Sequence, residues 1–160
     1  MKKSFLLTLV VGLMVTTSAM AQDWVRVYTS NGRSVEIPEG WTSEETVRNG
    51  IRQLVATNPS GRVNMAIFFY ENSGSAGDRM QEMISHNNVD VVESFTETFG
   101  SLRVMTKKGK MNYNGTNYKC YIATSDGAGQ QWNVVGALWG EDDAFQKQKD
   151  KFEPFFTSLQ

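Results

Sequence analysis

The chain has 160 residues, 16 Lys and Arg against 17 Asp and Glu, and a single cysteine. The near-zero net charge of −1 excludes the basic surplus by which nucleic-acid-binding domains are recognised, and a lone Cys120 excludes an intramolecular disulfide framework. The length suits about one domain, large enough to bury a core.

Residues 1–21 have the pattern of a cleaved signal peptide. Lys2 and Lys3 form a basic start, residues 5–15 an apolar run, and Ala19-Met20-Ala21 a small-x-small cleavage site. The apolar run is short for a membrane span and no second one follows, so no transmembrane segment is expected in the mature chain, residues 22–160. With no Cys at the cleavage site there is no lipobox. The expected location is the periplasm or beyond, in a bacterial envelope, because an exported domain of this size without disulfides must be held by its core alone.

Residues 24–29 alternate in a strand pattern, Asn31-Gly32 is a two-residue hairpin turn signal, and residues 34–37 return with Val35 and Ile37 inward. Pro38-Glu39-Gly40-Trp41 ends that strand. Residues 42–45 are polar and predict a loop, and residues 46–50 lead toward the next strand. The 51–70 stretch predicts a hairpin about the turn Asn58-Pro59-Ser60-Gly61. Its second half is apolar on both faces, with Val63, Met65, Ile67 and Phe69 on one and Ala66, Phe68 and Tyr70 on the other. Such a strand belongs in the middle of a sheet covered on both sides.

Residues 71–77 predict a loop. A helix is expected over 76–87, with Met80, Met83 and Ile84 on one side and Asn87-Asn88 as its stop. Strands are predicted over 89–98, 102–112 (broken from the first by Gly100-Ser101) and around Tyr118–Ile122, with a turn at Asn114-Gly115. Asn114-Gly115-Thr116 is formally a glycosylation sequon, but in a bacterial periplasm it reads as a plain turn. Asp126-Gly127-Ala128-Gly129 turns the chain once more. Residues 131–139 are nearly all apolar and predict a second central strand. A closing helix carries Phe145, Phe152, Phe156 and Leu159 on one face, and Pro154 should kink or interrupt it near its end.

The hairpin, the turn Ile37-Pro38-Glu39-Gly40-Trp41, the strand–helix–strand succession and the ending Ser158-Leu159 together resemble the PsbP-like fold. That fold is shared with a yeast nuclear-import factor and bacterial envelope proteins. The resemblance covers about residues 24–160. It implies an α+β domain in which an antiparallel sheet is flanked by helices, an α/β/α sandwich. It also implies an adaptor or assembly role without a catalytic constellation. A cystatin-like or NTF-like α+β roll has similar element counts and stays open.

No common catalytic motif is present. The only His is His86 and the only Cys is Cys120, which lies in an alternating strand as a buried small apolar group would. Gly74-Ser75-Ala76-Gly77 is neither a nucleophile elbow nor a phosphate loop. Met80, Met83 and His86, at i, i+3 and i+6, could offer two thioethers and an imidazole to Cu(I); the structural alternative is that both methionines fill the core. Glu141-Asp142-Asp143 could contact a hard cation, but calcium needs six or more oxygens, and helix capping accounts for the run. Lys107-Lys108-Gly109-Lys110 is expected at a solvated hairpin end. Trp41, Phe68, Tyr70, Tyr113 and Tyr121 would form a protein-binding patch if they cluster at the surface. The expected function is a non-enzymatic, cofactor-free binding or adaptor domain acting on an envelope protein. The alternative is a small-ligand or metal-binding protein with a pocket between sheet and helix.

Overall fold

A computed structural model describes residues 23–70, 74–125 and 133–160. The signal-peptide pattern and the turn at 126–129 lie outside the described residues, as do residues 71–73 and 131–132 of the expected loop and strand.

The chain opens with a two-stranded ribbon, β1 (Trp24–Tyr28) and β2 (Ser34–Pro38). Its turn is longer than Asn31-Gly32 alone predicts. Thr29 N–H donates to Arg33 O at 2.8 Å, and only Gly32 has positive φ, at 81°. This is a three-residue loop closed by a left-handed glycine, the next commonest hairpin connection.

A seven-stranded antiparallel sheet follows, in the order β3-β4-β5-β9-β8-β7-β6. Strand β3 (Thr42–Arg48) occupies the stretch expected to begin as a loop. It is an edge strand with mostly exposed side chains, so no apolar alternation marks it. It joins β4 (Ile51–Thr57) through Asn49-Gly50, at φ 51° and 76°, the positive pair that a tight two-residue hairpin requires. Strands β4 and β5 (Val63–Phe69) form the expected hairpin, with Gly61 N–H donating to Asn58 O at 2.8 Å. Strand β5 pairs on its other side with β9 (Val134–Gly140), so both apolar runs are interior strands.

Helix α1 (Ala76–His86) begins in a capping box, Ser75 with Asp78, and ends at Asn87. Strands β6 (Asp90–Phe99), β7 (Leu102–Tyr113) and β8 (Thr116–Ser125) complete the sheet. Lys107, Lys108 and Lys110 stand within β7, opposite Ser94, Glu93 and Asp90 of β6, rather than at a hairpin end. The strand continues through them because neighbours on both sides satisfy its backbone.

The closing helix is two helices, α2 (Asp142–Gln148) and α3 (Phe152–Thr157), joined by a 3-10 turn at Lys149–Lys151. The helix is interrupted near Pro154 as expected, and the proline itself sits in the first turn of α3, where its missing N–H costs nothing. The interruption falls just before it, where a proline ring would collide with the carbonyl four residues earlier. Glu141 provides no side-chain cap. Together with Asp143 it holds Arg62, at 2.9 and 2.6 Å, and so ties the β4–β5 turn to the start of α2.

Apolar side chains fill both faces of the sheet. On one face Val63, Met65, Ile67 and Phe69 pack with Phe152, Phe155 and Phe156, under the β1–β2 ribbon's Val35 and Ile37. On the other, Met80, Met83 and Ile84 of α1 pack on Ile122, Val135 and Ala137. The result is a helix–sheet–helix sandwich of α+β class. The last residue closes it: Ser34 N–H donates to Gln160 O at 3.0 Å, and Gln160 N–H to Ser34 O at 2.9 Å. Among the described residues, no helix is long and apolar enough to cross a membrane.

Candidate functional site

Helices α2 and α3 pack over the middle strands and reach β8 and the end of β6, so that Phe99, Thr106 and Tyr121 are buried on this face while Phe95, Glu97 and Lys108 stay partly exposed. The strand period of two puts Phe95 and Glu97 of β6, Thr106 and Lys108 of β7, and Tyr121 of β8 on this face, in neighbouring register. Between them and the 149–151 turn lies a groove of about 560 Å³, lined by sheet residues Glu97, Phe99 and Tyr121 and by helical residues including Lys147, Lys149, Asp150 and Glu153.

Its floor is made by the largely buried rings of Phe99, Tyr121 and Phe152, with Phe95 just outside it against Tyr121. Phe95 meets Tyr121 edge-on with ring centres 6.3 Å apart, Tyr121 meets Phe152 at 5.4 Å, and Phe152 meets Phe99 at 6.0 Å. Lys108 Nζ lies 4.6 Å above the Phe95 ring and 3.2 Å from Glu93. One Glu97 oxygen accepts from both the Tyr121 hydroxyl and Thr106 Oγ1, the latter at 2.8 Å. Burial and the Glu97 carboxylate push the Tyr121 phenol well above its ordinary range, so it stays a donor at any physiological pH.

These groups hold one another in place. Cys120 is buried, and that burial pushes its thiol up to about 12, which leaves no thiolate nucleophile near neutral pH. His86 lies exposed at the far end of α1. Met80 and Met83 are buried against the sheet, so the three residues considered for copper do not converge on one open site. Among the described residues, no group of His, Cys, Asp and Glu is arranged to hold a metal.

The five aromatics expected as a patch are dispersed. Trp41 is buried in the core on the α2–α3 side, while Phe68 and Tyr70 pack on the opposite face with α1. Tyr113 is 67% exposed at the β7–β8 turn. Tyr121 alone borders the groove. Its partners Phe95, Glu97 and Thr106 went unnoticed in the sequence, because they come from separate strands and share no local motif.

No protein-family profile matches the chain, and no curated protein sequence does. Among solved structures, the chain is similar to cyanobacterial PsbP (CyanoP) from Synechocystis sp. PCC 6803. The TM-score is 0.57 at 11% identity, covering 90% of this chain and 95% of that one. The fold is PsbP-like. Further similarity extends to LpqN, involved in cell envelope biogenesis of Mycobacterium tuberculosis, with a TM-score of 0.48 and 13% identity over 87% of this chain and 90% of that one. A Pseudomonas aeruginosa protein of unknown function, PA94, described as a putative regulator, follows at 0.47 and 9%, over 81% and 91%. At such identities the likeness concerns the PsbP-like architecture alone.

Proposed function

We propose that the protein is an exported, non-catalytic binding or adaptor domain of the bacterial envelope, and that it engages a protein partner through the β6–β7–β8 groove. The observation that carries this reading is the groove's construction, with an aromatic floor bordered by lysines and carboxylates. Rigid aromatic area with a polar rim is the composition of protein-binding surfaces. The signal-peptide pattern at residues 1–21 supports export.

A second reading follows from size. A volume of about 560 Å³ falls in the range of small-ligand pockets, so a small amphiphilic molecule is the alternative occupant. Site-specific photo-crosslinking in cells separates the two. A crosslinking residue at Phe95, inside the face, should capture one dominant envelope protein, and one at Gln81 on the exposed side of α1 should not. Equal capture from both positions, or none from Phe95, would count against the adaptor reading.

A further inference from the structure

Beside the main groove lies a second hollow of about 220 Å³, and the two share Tyr121, Gln146 and Lys149. The smaller one is bordered by Lys108, Lys110, Lys119 and Lys149, and no carboxylate belongs to its lining. The larger one contains Glu97, Asp150 and Glu153 alongside Lys147 and Lys149. The adjoining hollows thus differ electrically: only lysines among charged residues line the one toward the start of β6, and the other is of mixed charge. Glu93 and Asp142 neutralise part of the cationic end by pairing with Lys108 and Lys119. Among the described residues, Lys110 and Lys149 form no ion pair, although Asp90 of β6 stands opposite Lys110 in register.

The cationic end also has an apolar component. Val92, at the bulge between Val91 and Glu93, is 61% exposed, and Phe145 stands across from it. Resting on the adaptor reading above, we infer that this end receives an acidic side chain of an extended partner segment, with an adjacent apolar side chain seated against Val92 and Phe145. Charge complementarity selects the carboxylate. The apolar wall and the continuation past Tyr121 select a peptide over a free anion, since an inorganic ion would use neither. Because β6 is the outermost strand, the approach to this end is not blocked by a further strand.

The test is a titration of the isotope-labelled protein followed by amide NMR. The probes are Ac-Glu-Phe-Glu-Leu-NH2, its counterpart Ac-Gln-Phe-Gln-Leu-NH2, and inorganic phosphate. The Glu peptide should give saturable shifts at Val92, Lys110, Lys119 and Lys149. Its affinity should fall about tenfold in the Lys110→Glu, Lys149→Glu double variant and also with added salt. If that variant misfolds, the Lys110→Gln, Lys149→Gln pair and the salt series on the unaltered protein carry the same comparison. Equal shifts from the Gln peptide, displacement of the Glu peptide by millimolar phosphate, or no shifts at these residues would each overturn the inference. Crosslinking through Phe95 that persists in the lysine variants would overturn it too, while leaving the adaptor reading standing.

Discussion

Tyr121 of β8 donates its phenolic hydrogen to Glu97 of β6, across the width of β7, and Thr106 of that intervening strand holds the same carboxylate oxygen. The contact braces three strands on the open side of the sheet and sets the position of the ring that floors the groove. Tyr121→Phe keeps the ring and removes the donor. It should lower the stability by about 1–2 kcal/mol, as for a partly buried hydrogen bond to a charged group. Urea denaturation of the two proteins measures the difference. An unchanged midpoint would show that the brace adds nothing.

Alkaline pH should destabilise the fold. Burial raises the phenols of Tyr70, to about 12, and of Tyr121, and raises the Cys120 thiol to about 12. In the unfolded chain these groups ionise near their ordinary values, 10.0 for the phenols and 9.0 for the thiol. The unfolded state therefore releases protons first. The stabilisation is complete below about pH 9 and is lost progressively as pH rises toward the folded values. Thermal unfolding between neutral pH and about pH 11 should show a falling midpoint; a flat profile would contradict the burial of these groups.

Cys120 should be inert in the native protein. At neutral pH a thiol-reactive disulfide reagent should label it only as fast as the chain unfolds, with labelling accelerated by urea. Rapid labelling without denaturant would place the thiol at the surface.

Gly136→Ala should be among the most damaging single-methyl changes. A Cβ there would overlap the Phe156 ring and come within 3.1 Å of Phe152 Cζ, both part of the packed face under α3. Overpacking of this kind costs about 1–3 kcal/mol. Calorimetry should show a lowered midpoint; a wild-type value would mean that the phenylalanines have room to move.

Ser75→Ala removes half of the capping box on α1. Ser75 Oγ accepts from Asp78 N–H at 3.1 Å and donates to Asp78 Oδ2 at 2.7 Å. The expected loss is about 1 kcal/mol, read in chemical denaturation. Ser75→Thr should restore most of it, because its hydroxyl can both accept from Asp78 N–H and donate to the Asp78 carboxylate.

Features with a short period were legible in the sequence. Strand β5 showed both its buried faces, and helix α1 its apolar side through Met80, Met83 and Ile84. Strand β3 was missed at its start because an edge strand with exposed side chains carries no apolar alternation. The local signal that could have marked it, Asn49-Gly50, forms the turn after it. The groove was the least legible part, since Glu97, Thr106, Tyr121 and Lys149 come from four separate elements.

By itself, then, the sequence determined the near-neutral charge, the lack of a disulfide, the interior strands and most of the turns, because each depends on composition or on neighbours a few residues apart. Tertiary structure alone decided which aromatics meet solvent. Trp41, Tyr70, Tyr113 and Tyr121 were grouped by residue type, yet only Tyr113 of the four is left exposed, because burial is set by what distant segments bring against a ring. The same holds for charge. Lys110 and Lys119 face each other only through the β7–β8 register, and Lys149 joins them only because the 3-10 turn between α2 and α3 sets it over that strand pair.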